Sequence, residues 1–352
     1  MSTETTQAQS LLLDAQHVRT VFGGQGRREP VVAVDDVSVS IPANEPIIMT
    51  IVGESGSGKT TFTRNLLGLT PPSAGTIRYG DKDIYHMSRD EWRNYRREVQ
   101  PVFQDPYATY NPFYRIDRVL QLPLRKFKLA TSAEEGRQKM EEALKAVDLR
   151  PGDVLGRYPH QLSGGERQRI MLARIYLIRP RIIIADEPLS MIDASLRTLF
   201  LNILLDFREK QGISCIHITH NLSTAYYLGG EIMIMCKGRV IERGDMDSIV
   251  SKPAHPYTQL LIESVPSSDP SARWKDRRGL SNAVETAALK TEGSNACIFT
   301  SRCPHVMAIC HEKRPEFIPV NPAQEAACFL YDKAVMSTNG QSASVPAKAA
   351  GD

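Results

Sequence analysis

Residues 53–60 read Gly-Glu-Ser-Gly-Ser-Gly-Lys-Thr, and this glycine-rich run limits the chain to very few folds. Backbone without side chains at Gly53, Gly56 and Gly58 can turn tightly and aim successive N–H groups inward at an anion. Lys59 adds a compact positive charge, and Thr60 a hydroxyl suited to a magnesium ion. Residues 47–52, Ile-Ile-Met-Thr-Ile-Val, form a short apolar run fit for a buried strand, and 61–69 read as a helix whose N-terminus faces the anion. A Gly/Ser turn with a chance lysine has no need of strand, loop and helix in that order. Gly53, Glu54, Ser55, Gly56, Ser57, Gly58, Lys59, Thr60 and Thr61 are therefore the candidate contacts to a nucleoside triphosphate.

A second apolar run, Ile182-Ile183-Ile184-Ala185, ends in Asp186 and Glu187. This puts two carboxylates at the C-terminal tip of a buried strand, where parallel α/β sheets bind their ligands. Asp186 is suited to hold magnesium through water, and Glu187 to accept a proton from a water attacking the γ-phosphate. Upstream stands Leu162-Ser163-Gly164-Gly165-Glu166. Ser163 with Glu166 three residues on predicts a capping box, and so a helix from about Gly164 to Ile178, stopped near Pro180. Capping does not ask for two glycines in a first helical turn, where they cost stability. Close approach of an anion to bare backbone does.

These motifs, in this order over roughly residues 12–250, resemble those of the ATPase subunits of ABC transporters. By that resemblance Gln104, in Val-Phe-Gln-Asp-Pro, reaches magnesium and the attacking water, so that Thr60, Gln104 and Asp186 serve the metal. His220 is similar to the histidine that contacts the γ-phosphate, and Asp193 to the aspartate that communicates across a dimer. Phe22 aligns best with the aromatic that stacks on adenine, although an aromatic near an N-terminal strand serves equally as core. The resemblance further implies two subunits sandwiching two ATP molecules, with Leu162, Ser163, Gly164, Gly165 and Glu166 acting on the nucleotide held by the opposite P-loop.

With 352 residues, 41% hydrophobic and 24% charged, and a net charge of +3, the composition is that of an ordinary globular chain, with nothing to suggest nucleic-acid binding. No apolar stretch approaches the roughly 18 residues needed to span a bilayer. The first ten residues lack the pattern of a signal peptide. Membrane association is thus expected through a partner, at the cytoplasmic face of the inner membrane.

Between Gln104 and the signature, Thr131/Ser132 followed by Glu134/Glu135 signal a helix start, Met140, Ala143, Leu144 and Val147 form an apolar face, and Pro151-Gly152 a stop. In the family this is a helical subdomain, here about 105–165, whose groove receives a helix of the membrane subunit. Tyr107, Tyr110, Phe113 and Tyr114 either border that groove or fill the subdomain core.

Past residue 250, His255-Pro256-Tyr257-Thr258 followed by Leu260, Leu261 and Val265-Pro266 resembles the extension of ATPases serving oligopeptide and dipeptide importers. Residues 267–294 turn polar and irregular, as a linker does. Four cysteines follow, Cys297, Cys303, Cys310 and Cys328. Stable disulfides are not expected in the cytoplasm, and the spacing is not the paired C-x-x-C of common zinc folds. Three readings stay open: a [4Fe–4S] cluster, which the family's Cys-x-Phe-x-x-Arg-Cys-Pro run implies, zinc with His305 or His311, or free thiols. Cys215 and Cys236, in apolar strand-like runs, read as inert core.

The expected architecture is an α/β P-loop NTPase of ABC type with an antiparallel β subdomain, a helical subdomain and a cysteine-bearing C-terminal extension. Its expected divisions are a flexible 1–11, an ATPase domain 12–250, the extension 251–332 and a disordered tail 333–352. The expected partners are a second, similar ATPase in a heterodimer, two permease subunits and an extracytoplasmic solute-binding protein. The expected cargo is peptide, although Pro-Leu-Ser-Met-Ile-Asp at 188–193 resembles members that move oligosaccharides. A rival reading, a soluble ABC ATPase remodelling a ribosomal or DNA-repair complex, fits less well. Such chains often carry two cassettes or a long coiled-coil insertion, and this one has neither.

Overall fold

The computed structural model describes residues 10–23, 30–105, 110–190, 192–264 and 295–338. Its first two strands, β1 (Leu11–Phe22) and β2 (Val31–Pro42), pair antiparallel. After β3 (Ile48–Val52) and the helix Lys59–Leu66, the strands β4 (Ala74–Tyr79) and β5 (Lys82–Asp83) complete a four-stranded antiparallel sheet in the order β2-β1-β4-β5.

The larger sheet takes β6 (Val99–Val102), β7 (Ile182–Asp186), β8 (Ser214–Thr219), β9 (Glu231–Cys236), β10 (Arg239–Asp245), β11 (Ile318–Asn321) and β12 (Gln324–Ala326). Its order is β11-β12-β10-β9-β3-β8-β7-β6. The pairs β6·β7, β7·β8, β8·β3 and β3·β9 are parallel, and the remainder antiparallel. Every residue of β3, β7 and β8 is buried, because helices cover a parallel sheet on both faces. The period of two decides which face each side chain enters: Ile182 and Ile184 join one apolar cluster with Phe62 and Leu66, while Ile183 and Ala185 join another with Ile170, Ile175 and Phe200.

That second cluster runs on without a break into the helical subdomain. Leu120 and Leu124, from the helix Asp117–Lys126, and Met140, Ala143, Leu144 and Val147, on the expected apolar face, all lie in it. Ser132 caps the helix Ala133–Ala146 as its sequence predicts. The helix ends five residues short of Pro151, however, as the chain turns through Asp148 at φ 57° and a short helix then starts at Pro151–Val154.

The C-terminal residues do not form a separate layer. Through β12 they pair with β10, Glu242 opposite Ala326, so the large sheet continues across residue 250. Glu242, fully buried, accepts hydrogen bonds from the N–H of Ala254 (2.8 Å) and His255 (2.9 Å) and from the Gln324 side chain (2.5 Å). One carboxylate therefore ties the strand, the following turn and the extension together. At the expected disordered tail, Lys333–Thr338 is helical instead, with Asp332 Oδ1 accepting from the Ala334 N–H. The linker over 267–294 and the termini 1–9 and 339–352 lie outside the described residues. Among the described residues no helix is long and apolar enough to cross a membrane.

Glu242→Ala removes three buried hydrogen bonds and leaves the Ala254 and His255 N–H groups unpaired, and is expected to cost about 3 kcal/mol of stability, read as a lowered Tm in thermal unfolding.

Candidate functional site

Parallel registry decides where the site forms. Val52 stands opposite Thr219, Asp186 opposite Ile218 and Val102 opposite Ala185. The loops leaving β3, β6, β7 and β8 therefore emerge at one edge, bringing the P-loop, Gln104, Asp186-Glu187 and His220 together.

Within the P-loop, Gly58 sits at φ 98°, and a Cβ there would lie 2.1 Å from the Ala33 carbonyl oxygen, so both conformation and space exclude a side chain. Lys59 is buried, and its Nζ donates to the carbonyls of Gly53 and Glu54 at 2.8 Å and to Ser57 Oγ at 3.3 Å. Burial lowers its pKa, and the charges of Glu187, Asp186 and Glu54 push back.

Asp186, 6% exposed, accepts from Thr60 Oγ1 at 3.4 Å. Burial raises its pKa and Glu187 adds to that, against the Thr60 hydrogen bond and the Lys59 charge. Two hard oxygen donors side by side, one a carboxylate costly to bury alone, fit a divalent cation.

Glu187 adopts φ 44°, a left-handed conformation for a residue with a side chain, and its surroundings fix it there. Its N–H donates to the Ile218 carbonyl (2.9 Å), and its own carbonyl accepts from Ser190 Oγ (3.0 Å). The carboxylate meets Gln104 Nε2 at 3.4 Å and His220 Nδ1 at 3.1 Å. Two residues picked from separate segments, Gln104 and His220, thus converge on one oxygen of a third, Glu187 Oε2.

The helix Gly164–Ile178 carries the expected capping box, Ser163 Oγ accepting from the Glu166 N–H at 3.2 Å and Glu166 accepting from the Ser163 N–H at 2.8 Å. Leu162 is buried, whereas Ser163 is exposed. Gly165 has a packing reason beside the anion argument, since a Cβ there would meet Leu196 Cδ1 at 2.7 Å. Asp193 precedes the helix Ala194–Gln211 without a side-chain capping bond, leaving its carboxylate exposed. Phe22, 46% exposed at the end of β1, is not a core residue.

Among the four aromatics singled out in the helical subdomain, Tyr110 is core, its hydroxyl donating to the Arg167 carbonyl at 2.6 Å. Phe113 is 84% exposed, and Tyr114 stacks under the Arg118 guanidinium at 3.9 Å. Tyr107 lies outside the described residues.

The four C-terminal thiols all border one narrow cavity, together with His305. Burial raises the pKa of Cys297 and Cys303 and pushes Cys328 up to about 12. The donor set is the soft one a cluster takes, but no ligand cage is formed: among the described residues no three His, Cys, Asp or Glu side chains are grouped to hold a metal ion. The expected zinc arrangement with His305 or His311 is absent on the same ground. Cys215 and Cys236 are buried core thiols, both pushed up to about 12.

A buried polar residue beside the site went unread in the sequence. Gln168, 1% exposed, donates from Nε2 to the carbonyls of Phe103 (3.2 Å) and Pro188 (2.9 Å), next to Gln104 and Glu187 respectively. In the sequence it stands in the polar run Glu166-Arg167-Gln168-Arg169, which gives no sign of burial.

A P-loop, a paired carboxylate at a strand tip, and a glutamine and histidine meeting the second carboxylate define an ATPase site of the ABC class. The chain belongs to the ABC transporter ATP-binding proteins, in the branch with the oligopeptide/dipeptide C-terminal region. The ABC transporter family model matches residues 34–190, and that of the oligopeptide/dipeptide transporter C-terminal region matches 241–310. The Bacillus subtilis oligopeptide transport ATP-binding protein AppF is 35% identical over 334 residues, 93% of this chain and 99% of that protein. A Brucella ovis chain named for peptide import and ATP binding is 36% identical over 305 residues, 87% of this chain and 94% of that one. A solved dimeric ATP-binding cassette with ADP and Pi, in a post-hydrolysis state, superposes with a TM-score of 0.59 at 26% identity, over 66% of this chain and 98% of that one.

Gln168→Leu removes both loop ties while keeping an apolar helix face, and is expected to lower kcat about tenfold with ATP affinity little changed, in steady-state assays over a range of ATP.

Proposed function

We propose that this chain hydrolyses ATP to power peptide import through a membrane ABC transporter. The observation that carries the reading is the meeting of Gln104 and His220 at Glu187, beside Asp186, Thr60 and Lys59. Lys59 and the N–H groups of residues 53–61 hold the phosphates. Glu187 takes the proton of the attacking water, Gln104 orients that water, and His220 sits against the γ-phosphate. Thr60, Asp186 and Gln104 would hold magnesium, which would supply charge neutralisation to the phosphates when bound. Phe22, exposed on β1, stacks on adenine.

The exposed Ser163, with Leu162, Gly164, Gly165 and Glu166, acts on the nucleotide of a second ATPase subunit, and Asp193 relays between the two. The partner ATPase is a similar but distinct chain, giving a heterodimer. Two permease subunits dock against the helical subdomain near Phe113 and Tyr114, with an extracytoplasmic solute-binding protein delivering cargo. The subunit works peripherally at the cytoplasmic face of the inner membrane. Relatives named for peptides favour peptide over oligosaccharide as cargo, and the matched C-terminal region disfavours a soluble remodelling ATPase. The common cavity of Cys297, Cys303, Cys310 and Cys328 supports a [4Fe–4S] cluster, which these four thiolates would hold. Iron and sulfide analysis of anaerobically purified protein tests that assignment, and their absence removes it.

Glu187→Gln is expected to bind ATP as the wild type does while losing at least about a hundredfold in turnover, measured on the co-purified transporter. Near-normal turnover removes Glu187 from the base role.

A further inference from the structure

The P-loop is not held by its own neighbourhood alone. The Glu54 N–H donates to the Tyr257 hydroxyl at 3.0 Å, across 203 residues of sequence. The Glu54 carboxylate takes a two-pronged bond from Arg302, Nη1 to Oε2 and Nη2 to Oε1, both 3.0 Å and 248 residues apart in sequence. On its other side the Glu54 carbonyl accepts from Lys59 Nζ at 2.8 Å. One loop residue is therefore pinned at its N–H, its carbonyl and its side chain.

The two clamping residues are themselves braced. Tyr257 is 1% exposed in the helix Pro256–Glu263, and its N–H donates to His255 Nδ1 at 3.0 Å. The buried Phe299 packs edge-on against the Tyr257 ring, with centroids 5.5 Å apart, and the Arg302 guanidinium lies 5.6 Å from the Phe299 centroid. Planar fork geometry and aromatic backing give Arg302 a defined position that a lysine does not reproduce.

Electrostatics gives this contact a role at the nucleotide. A carboxylate in a phosphate-binding loop opposes a polyanionic ligand, and the charge of Glu54 already reaches Lys59. Arg302 neutralises that carboxylate and turns it toward the C-terminal region. Tyr257 fixes the peptide whose carbonyl seats Lys59.

The geometry points to Tyr257 and Arg302 as positioning residues of the nucleotide site, acting through Glu54 to set affinity for MgATP. This rests on the ATPase reading of the P-loop, and it makes the C-terminal region part of the nucleotide site rather than an appendage.

The test is equilibrium binding of MgATP to the full-length chain, with kcat and KM measured on the co-purified transporter. Arg302→Ala is expected to weaken binding and raise KM about fivefold with kcat retained, the scale of a well-oriented exposed ion pair. Arg302→Lys recovers only part of the affinity. Adding Glu54→Gln to Arg302→Ala restores affinity to within about twofold of wild type, because the uncompensated charge is gone. Unchanged affinity in Arg302→Ala, or a double variant no better than the single one, overturns the proposal. If Arg302→Ala does not fold, Tyr257→Phe carries the same test: it keeps the ring packing, removes the acceptor oxygen and is expected to weaken binding about twofold or more, and wild-type affinity overturns the proposal. Lys59→Ala separates the two readings. Binding that survives Lys59→Ala, or a wild-type chain that binds no MgATP, overturns the ATPase reading and this proposal with it. Loss of binding in Lys59→Ala beside an unaffected Arg302→Ala overturns the clamp alone.

Discussion

Parallel pairing of β3 with β8, β8 with β7 and β7 with β6 is the constraint on which the site depends. Parallel strands must all run out at the same edge, so four loops that are far apart in sequence are delivered to one place. Burial on both faces holds the strands in that register. A fully buried isoleucine contributes about 2 kcal/mol, and a slip of one residue would send Ile182 and Ile184 into the wrong cluster. The chemistry at the edge inherits this rigidity: Glu187 is kept at φ 44° with its N–H bonded to Ile218 of β8 and its carbonyl to Ser190, not by its own preference.

What was legible in the sequence was local. The P-loop, the strand ending in Asp186-Glu187 and the capping box at Ser163 are written in consecutive residues, because a tight turn, a strand tip and a helix start each need particular neighbours. The roles of Gln104 and His220 came by resemblance, and the structure brings both to Glu187. The apolar face of Ala133–Ala146 was also readable, since period alone fixes it.

What stayed hidden depends on packing between distant segments. Nothing near Gln168 says that its amide bridges two loops, and nothing near Gly165 says that Leu196 lies against it. Tyr110 and Phe113 are three residues apart with similar chemistry, yet one is buried and the other almost bare. Composition suggested disorder from residue 333, but Asp332 supplies a local cap and a short helix follows. The contacts of Tyr257 and Arg302 with Glu54 are the extreme case, with no sequence pattern linking their members.

The strand order has a further consequence at the borders of the large sheet. Without the final two strands, β10 would present an open ladder of N–H and C=O groups, an invitation to pair with another chain. Instead β11 closes that side, four residues long and carrying Pro319, while β6 on the opposite side carries Pro101. A proline supplies no N–H, so both outer strands are poor templates for strand addition. The C-terminal region thereby protects the sheet from aggregation.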